Sequence, residues 1–195
     1  MAEQETEFKY LLSLDDYLKV AGALGKPEHE RCFVNRYFTV VGGTARRDWV
    51  LRLRVEGERR ELTLKIGREV APGLFDSLEY NELVPSENPA DWSQTEPFKV
   101  LRAEVSTAPV TEQGEARNLR QVYQPPVKVG RVWELDRCEL PHGRQFCELE
   151  VEVKTSDVES SGKLINGWLD ALGVSARPSE KTKYARFLAS LKSPG

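Results

Sequence analysis

The stretch CELEVEVK, residues 147–154, alternates without a break: Cys147, Leu149, Val151 and Val153 form one set, and Glu148, Glu150, Glu152 and Lys154 the other. Strand side chains point alternately to opposite faces, so this is a strand with one apolar and one ionised face. The same split recurs along the chain. Leu51, Leu53 and Val55 oppose Arg52 and Arg54, and Leu62, Leu64 and Ile66 oppose Glu61, Thr63 and Lys65. Near the N-terminus Glu5, Glu7 and Lys9 fall together. Period-two segments at residues 5–11, 32–40, 49–55, 61–66, 75–84, 118–123, 129–138 and 145–154 predict about eight strands, the count at which an antiparallel sheet can close on itself.

Three helices are predicted between and after them. Ser13, with Asp15 and Asp16 behind it, caps the first, which runs toward residues 22–25. Ser156 and Glu159 read as a capping box, followed by Val158, Leu164, Ile165, Trp168, Leu169 and Leu172 at helical spacing up to Gly173. The third begins near Ser179 and carries Tyr184, Phe187, Leu188 and Leu191 as one apolar stripe. Between residues 85 and 124, Trp92, Phe98, Val100 and Leu101 suggest a helical insertion around Pro97, then a polar loop through Gly114. Pro125 and Pro126 mark a turn or an edge strand.

An ionised strand face is most simply a solvated exterior. Here, however, the striped helices need a surface to cover, and the apolar strand face is the one offered. If they cover it from outside, the charged face points inward around a barrel axis. An interior crowded with ionised groups is costly unless opposite charges pair or water and a charged ligand fill the space. Interleaved carboxylates and cations suit a polyanion carried with a hard divalent cation, because carboxylate oxygens bind Mg²⁺ or Mn²⁺ while Lys and Arg bind phosphate oxygens.

Composition sets the frame. The 195 residues are 39% hydrophobic and 30% charged, enough for one domain (1–195) with a core of its own. The net charge of −3 is the difference between 28 basic and 31 acidic residues, which favours neither nucleic acid nor an acidic membrane as partner. With no signal-like or membrane-spanning apolar run, a cytoplasmic protein is expected. Cys32, Cys138 and Cys147 include no CxxC pair and are read as reduced packing residues. His29 and His142, in expected loops beside Pro27 and Pro141, are read as surface residues, and Trp133 and Trp168 as core.

Glu5, Glu7 and Lys9 spell ExExK, which resembles the signature of the CYTH superfamily, the triphosphate tunnel metalloenzymes. NRYFTV (35–40), LRLR (51–54), TLK (63–65), NLRQVY (118–123), WELD (133–136), ELEVE (148–152) and EKTKYARF (180–187) follow in that family's order, so the resemblance spans almost the whole chain. Spacing across residues 118–150 and the TKY segment is most similar to plant-type inorganic tripolyphosphatases. The resemblance implies an α+β fold, a closed eight-stranded antiparallel β-barrel with helices packed outside. It implies metal-dependent hydrolysis of tripolyphosphate to diphosphate and phosphate, with Mg²⁺ or Mn²⁺ as cofactor, in a monomer or weak homodimer.

Carried over by position, Glu5, Glu7, Glu148 and Glu150 resemble the metal carboxylates. Glu148 and Glu150 also resemble the groups that orient the attacking water, with Lys9 beside them in catalysis. Lys9, Arg52, Arg54, Lys65, Glu79, Arg120, Asp136 and Lys183 resemble the substrate-binding lining. For Asp136, with Glu134 on the same face, a structural ion pair reads equally well. The chain departs from the pattern at Ser77, where an Arg is usual, at Asn81, where a carboxylate is usual, and after Phe38, where an Asp is common. The family also contains thiamine and RNA triphosphatases and class IV adenylate cyclases, so those chemistries stay open. A non-catalytic module that binds polyphosphate or inositol phosphates is a further alternative.

Overall fold

The computed structural model describes residues 2–42, 49–104 and 107–192. Eight long strands form one antiparallel sheet: β1 (Glu3–Leu12), β2 (His29–Val40), β3 (Trp49–Glu56), β4 (Arg59–Ala71), β5 (Leu74–Leu83), β6 (Val110–Tyr123), β7 (Val132–Glu139) and β8 (Gln145–Val153). Their order is β5-β4-β3-β2-β6-β7-β8-β1, and β1 pairs again with β5, with Glu5 opposite Ser77 and Glu7 opposite Phe75. The sheet is therefore closed, which removes both edges. A two-residue strand, β9 (Arg177–Pro178), pairs with β1 at Tyr10 and Leu11, just beyond the last β5 partner at Phe8.

Most of the outward apolar sets are covered, though Leu78 of β5 stays exposed. Helices α1 (Leu14–Leu24) and α3 (Val158–Ala171) share a core with Tyr10, Leu12, Trp133, Leu135, Leu149 and Val151 from the strands. Trp168 of α3 meets Trp133 edge-on at 5.0 Å. On the other side a short 3-10 turn (Pro89–Trp92) and α2 (Glu96–Glu104) cover Phe38, Leu51, Leu53, Leu62 and Leu64. Leu51, Leu53, Leu62, Leu64, Leu135 and Leu149 have no exposed surface. Each such burial is worth roughly 1.5–3 kcal/mol against water, and this exterior shell holds the barrel together.

A fourth helix, α4 (Lys183–Leu191), packs differently. Phe187 lies 4.7 Å from the ring of Tyr37, whose side chain lies on the inner face of β2, and Lys183, Tyr184 and Leu188 line the bore itself. Gly114 makes this possible: a bulge between β2 and β6 places it opposite Tyr37 at φ +137°, and a Cβ there would stand 3.3 Å from the Phe187 ring.

Several local expectations changed. Ser13 does cap α1, accepting from Asp16 N at 3.1 Å. The Ser156–Glu159 capping box does not form, because a 3-10 turn (Thr155–Asp157) carries Ser156 away and Asp157 becomes the residue before α3, with its hydroxyl neighbour bonded to it at 2.8 Å. The last helix starts at Thr182, which accepts from Ala185 N at 3.1 Å, and not at Ser179. The polar loop read through Gly114 is mostly strand, since β6 starts at Val110; residues 105–106 of that loop lie outside the described residues. Pro125 and Pro126 lie in neither a strand nor a helix, and His29 opens β2 with an exposed side chain. The three cysteines are free, but Cys138 faces inward and its thiol donates to Asn118 Oδ1, so it is more than apolar filling. No described helix is long and apolar enough to cross a membrane.

Candidate active site

A cavity of about 270 Å³ runs inside the barrel, and its walls are the charged strand faces. Glu5, Glu7 and Lys9 come from β1, Arg52 and Arg54 from β3, Lys65 from β4, Glu79 from β5, Arg120 from β6, Glu134 from β7, Glu150 from β8 and Lys183 from α4. Asp136 and Glu148, fully buried, stand behind that lining and touch it through Lys183. All twelve residues singled out from sequence therefore converge on one place.

They form two linked clusters. In the first, the Lys65 ammonium is the focus of three carboxylates, at 2.6 Å from Glu5, 3.0 Å from Glu7 and 2.7 Å from Glu79. Burial, then repulsion from Glu7, pushes the Glu5 carboxyl up to about 8, in spite of Lys65. For Glu7 burial also acts upward, but Lys65 and Lys9 together outweigh it and hold its pKa below the ordinary value. In the second cluster, Glu150 receives Lys9, Lys183 at 2.6 Å and Arg120 at 2.6 Å. Those cations overcome burial and keep Glu150 well below the usual carboxylate range. Lys9 joins the clusters, reaching Glu7 at 2.8 Å.

Arg120 also grips Asp136 with two hydrogen bonds, at 2.8 and 2.6 Å, and contacts Glu134. Asp136 accepts from Asn118 at 3.0 Å and from Lys183 at 2.9 Å. It is thus a buried anchor for two cations. Glu148 is less neutralised: Lys183 lies 3.0 Å away and Ser179 Oγ donates at 2.7 Å. Burial dominates there and raises its pKa.

The wall at β3 differs. Among the described residues neither Arg52 nor Arg54 has a carboxylate within ion-pair distance. Arg52 reaches Thr63 Oγ1 at 3.3 Å, and its buried Nε has no hydrogen-bond partner. Arg54 donates to Asn35 at 3.2 Å and lies 4.2 Å above the Phe33 ring. Burial, then the charges of Arg52 and Arg120, pushes the Arg54 guanidinium down to about 9. In the sheet order β3 lies four strands from β8 in either direction, so the free cations face the Glu148–Glu150 wall.

Sequence reading put Thr63 on the inward face without giving it a role, and missed Phe33, Asn35 and Asn118, which share the inward parity and could have been found by it. It also missed Ser179, assigned instead to a helix start. Among the described residues no group of three or more His, Cys, Asp or Glu is arranged to hold a metal as it stands. The donor chemistry nonetheless suits a hard divalent cation, because three carboxylates already surround one positive charge. Glu5, Glu7 and Glu79 are the residues that would hold it.

The fold recurs in solved structures. HpAC1 from Hippeastrum, described as a candidate adenylyl cyclase with a dominant triphosphatase activity, shares 23% identity over 95% of both chains with a TM-score of 0.83. A candidate adenylate cyclase from Bacillus halodurans shares 21% identity over 95% of this chain and 98% of its own, with a TM-score of 0.74. The PH1012 protein of Pyrococcus horikoshii OT3 shares 21% identity over 90% of this chain and 95% of its own, with a TM-score of 0.58. No curated protein matches the sequence. The family described as CYTH domain matches residues 3–188, nearly all of the sequence that builds the barrel and its bore, and the chain belongs to that family.

Proposed function

We propose that the protein hydrolyses the terminal phosphoanhydride bond of a triphosphate, inorganic tripolyphosphate foremost, giving diphosphate and phosphate. The observation that carries this reading is the division of the bore. Among the described residues, Arg52 and Arg54 stand without carboxylate partners on one wall, and the carboxylates are gathered on the other. A polyanion has fixed donors to dock on, and the opposite wall has groups that can handle water and a metal. The dominant triphosphatase activity reported for HpAC1, which shares this fold, agrees with it.

Glu5, Glu7 and Glu79 would hold the divalent cation, Mg²⁺ or Mn²⁺, which when bound supplies charge neutralisation to phosphate oxygens. Arg52 and Arg54 hold the phosphate chain, and Arg120, Lys9 and Lys183 offset charge as it shifts along that chain. Phosphoryl transfer depends chiefly on such positioning and electrostatics. Glu148 is the better proton acceptor of the acidic pair. Glu150 is saturated by three cations, whereas among the described residues Glu148 meets only Lys183 and the Ser179 hydroxyl. Water in the bore beside Lys183 attacks the terminal phosphorus, and its proton passes by way of the Lys183 ammonium, 3.0 Å from Glu148, to that carboxylate. The bridging P–O bond breaks, and diphosphate leaves with the bonding pair.

A receptor that merely binds polyphosphate gains nothing from carboxylates facing its anion, since like charge opposes binding. The test is phosphate release from tripolyphosphate, thiamine triphosphate, ATP and diphosphate with Mg²⁺ and Mn²⁺. Metal-dependent release, fastest from tripolyphosphate, is expected. Cyclic AMP from ATP with no phosphate from tripolyphosphate would overturn the substrate assignment, and tight binding without turnover would overturn catalysis.

A further inference from the structure

We infer that Ser179 is a positioning residue that aims the Glu148 carboxylate and locks it to Lys9 across the β1–β8 seam, an inference that rests on the role given above to Glu148. Ser179 has no exposed surface and lies in the segment between β9 and α4, outside the strands that carry the charged groups. Its hydroxyl is 2.7 Å from Glu148 Oε1, its backbone N–H donates to the Lys9 carbonyl at 2.9 Å, and it accepts from Arg186 Nη2 at 2.9 Å. The Lys9 backbone is held from the other side too, donating to the Gly73 carbonyl at 2.7 Å. Gly73, at φ +71°, permits this, since a Cβ there would come within 2.8 Å of both the Lys9 oxygen and Pro178.

One residue thus fixes three things at once. Lys9 and Glu148 sit on neighbouring strands, and their side chains enter the two clusters through Glu150 and Lys183. Lys183 follows four residues after Ser179, at the start of α4. The other oxygen of Glu148, Oε2, has no hydrogen bond, only the ion pair with Lys183. The Ser179 hydroxyl is therefore the one hydrogen bond, among the described residues, that sets the rotation of that carboxylate. A hydroxyl carries a single proton, so donation to Glu148 competes with donation to Lys181 O at 3.0 Å. Arg186, by donating to the same oxygen, fixes the hydroxyl's lone pairs and leaves its proton for those acceptors.

Partners of this kind typically change activity about 10–100-fold when removed. The experiment compares S179A, S179T and E148Q in steady-state tripolyphosphate hydrolysis, with thermal melts to establish folding. S179A is expected to lose about 10-fold or more in kcat with KM within about twofold, because substrate docks on β3, and S179T to recover most of the loss. If S179A does not fold, S179C carries the same test, filling the space with a weak donor. Wild-type kcat in folded S179A or S179C overturns the positioning role while leaving the function intact, provided that E148Q is inactive. A loss confined to KM, or S179T no better than S179A, also overturns it. Wild-type turnover in E148Q removes the role of Glu148 itself, and the proposal with it.

Discussion

Lys65→Met separates the electrostatic argument from the chemical one. Lys65 contacts Glu5, Glu7 and Glu79 at 2.6–3.0 Å with a quarter of its side chain exposed. Glu7 keeps Lys9 at 2.8 Å after the change, but among the described residues Glu5 and Glu79 keep no ion pair. Breaking a fully buried pair costs about 3–5 kcal/mol; the partial exposure lowers the expectation here to about 2–3 kcal/mol. For a chain of this size 1 kcal/mol corresponds to about 2–4 °C, so the melting temperature in EDTA should fall by about 4–12 °C. The variant is nearly isosteric along its stem, so packing loss is minor. Divalent cation then acts in the opposite sense. With Lys65 gone the metal no longer competes with an ammonium, and at 100 times its dissociation constant it returns about 2.7 kcal/mol. Melting with and without Mg²⁺ is the assay, and the gap between variant and parent should close with Mg²⁺. A variant as stable as the parent in EDTA, or an equal Mg²⁺ shift in both, refutes the claim that these carboxylates form the cation site.

Arg54→Met removes a cation that has no carboxylate partner, so the melting temperature should rise by about 2–4 °C, worth about 1 kcal/mol, while KM for tripolyphosphate climbs at least tenfold; a drop in stability would show that Arg54 is compensated. Glu148→Gln should abolish turnover with substrate binding retained, whereas Glu150→Gln should weaken both, since it frees Lys9, Arg120 and Lys183 from their shared carboxylate; calorimetry of substrate binding to each variant tells them apart. Gly114→Val demands positive φ of a branched residue and 3.3 Å contact with Phe187, and should cost about 1–3 kcal/mol in urea unfolding. Mg²⁺ and tripolyphosphate should bind cooperatively, each raising the other's affinity by the same factor in titrations; independent binding would contradict a shared site.

The barrel and the bore were legible because both rest on parity. A period of two assigns Glu5, Glu7, Lys9, Arg52, Arg54, Lys65 and Glu150 to one face without any knowledge of strand order, and closure of the sheet makes that face an interior. What parity cannot carry is anything set by irregular backbone. The bulge at Gly114 hid the first half of β6 behind a polar composition, because EQGE looks like a loop unless its partner at Tyr37 is known. Ser179 and Thr182 are both plausible caps by residue type. Only the short β9 pairing, which ties Ser179 to Lys9, decides which one is free to start the helix. The pairing of each cation was equally hidden, since it depends on strands that are distant in sequence, as with Lys65 and Glu5.

That pairing gives the bore its character. Lys9, Lys65, Arg120 and Lys183 are each held by two or more carboxylates, whereas among the described residues Arg52 and Arg54 have none within ion-pair distance. A tunnel built for anions alone would be expected to leave most of its cations unpaired, and it would repel itself when empty. A tunnel built for metal alone would leave its carboxylates facing one another. Here the two sets neutralise each other at rest, so the empty interior tolerates its charge. On the proposed function, entry of a triphosphate with its cation would replace internal pairs by pairs of the same sign pattern, phosphate for carboxylate and metal for ammonium. Neither ligand alone completes the exchange: phosphate without metal strands the carboxylates, and metal without phosphate strands the lysines. On that reading, selectivity for the combined ligand would follow from the interior's own balance, and β3, whose two arginines have no carboxylate within ion-pair distance among the described residues, is where an arriving anion would first find charge it need not win from a neighbour.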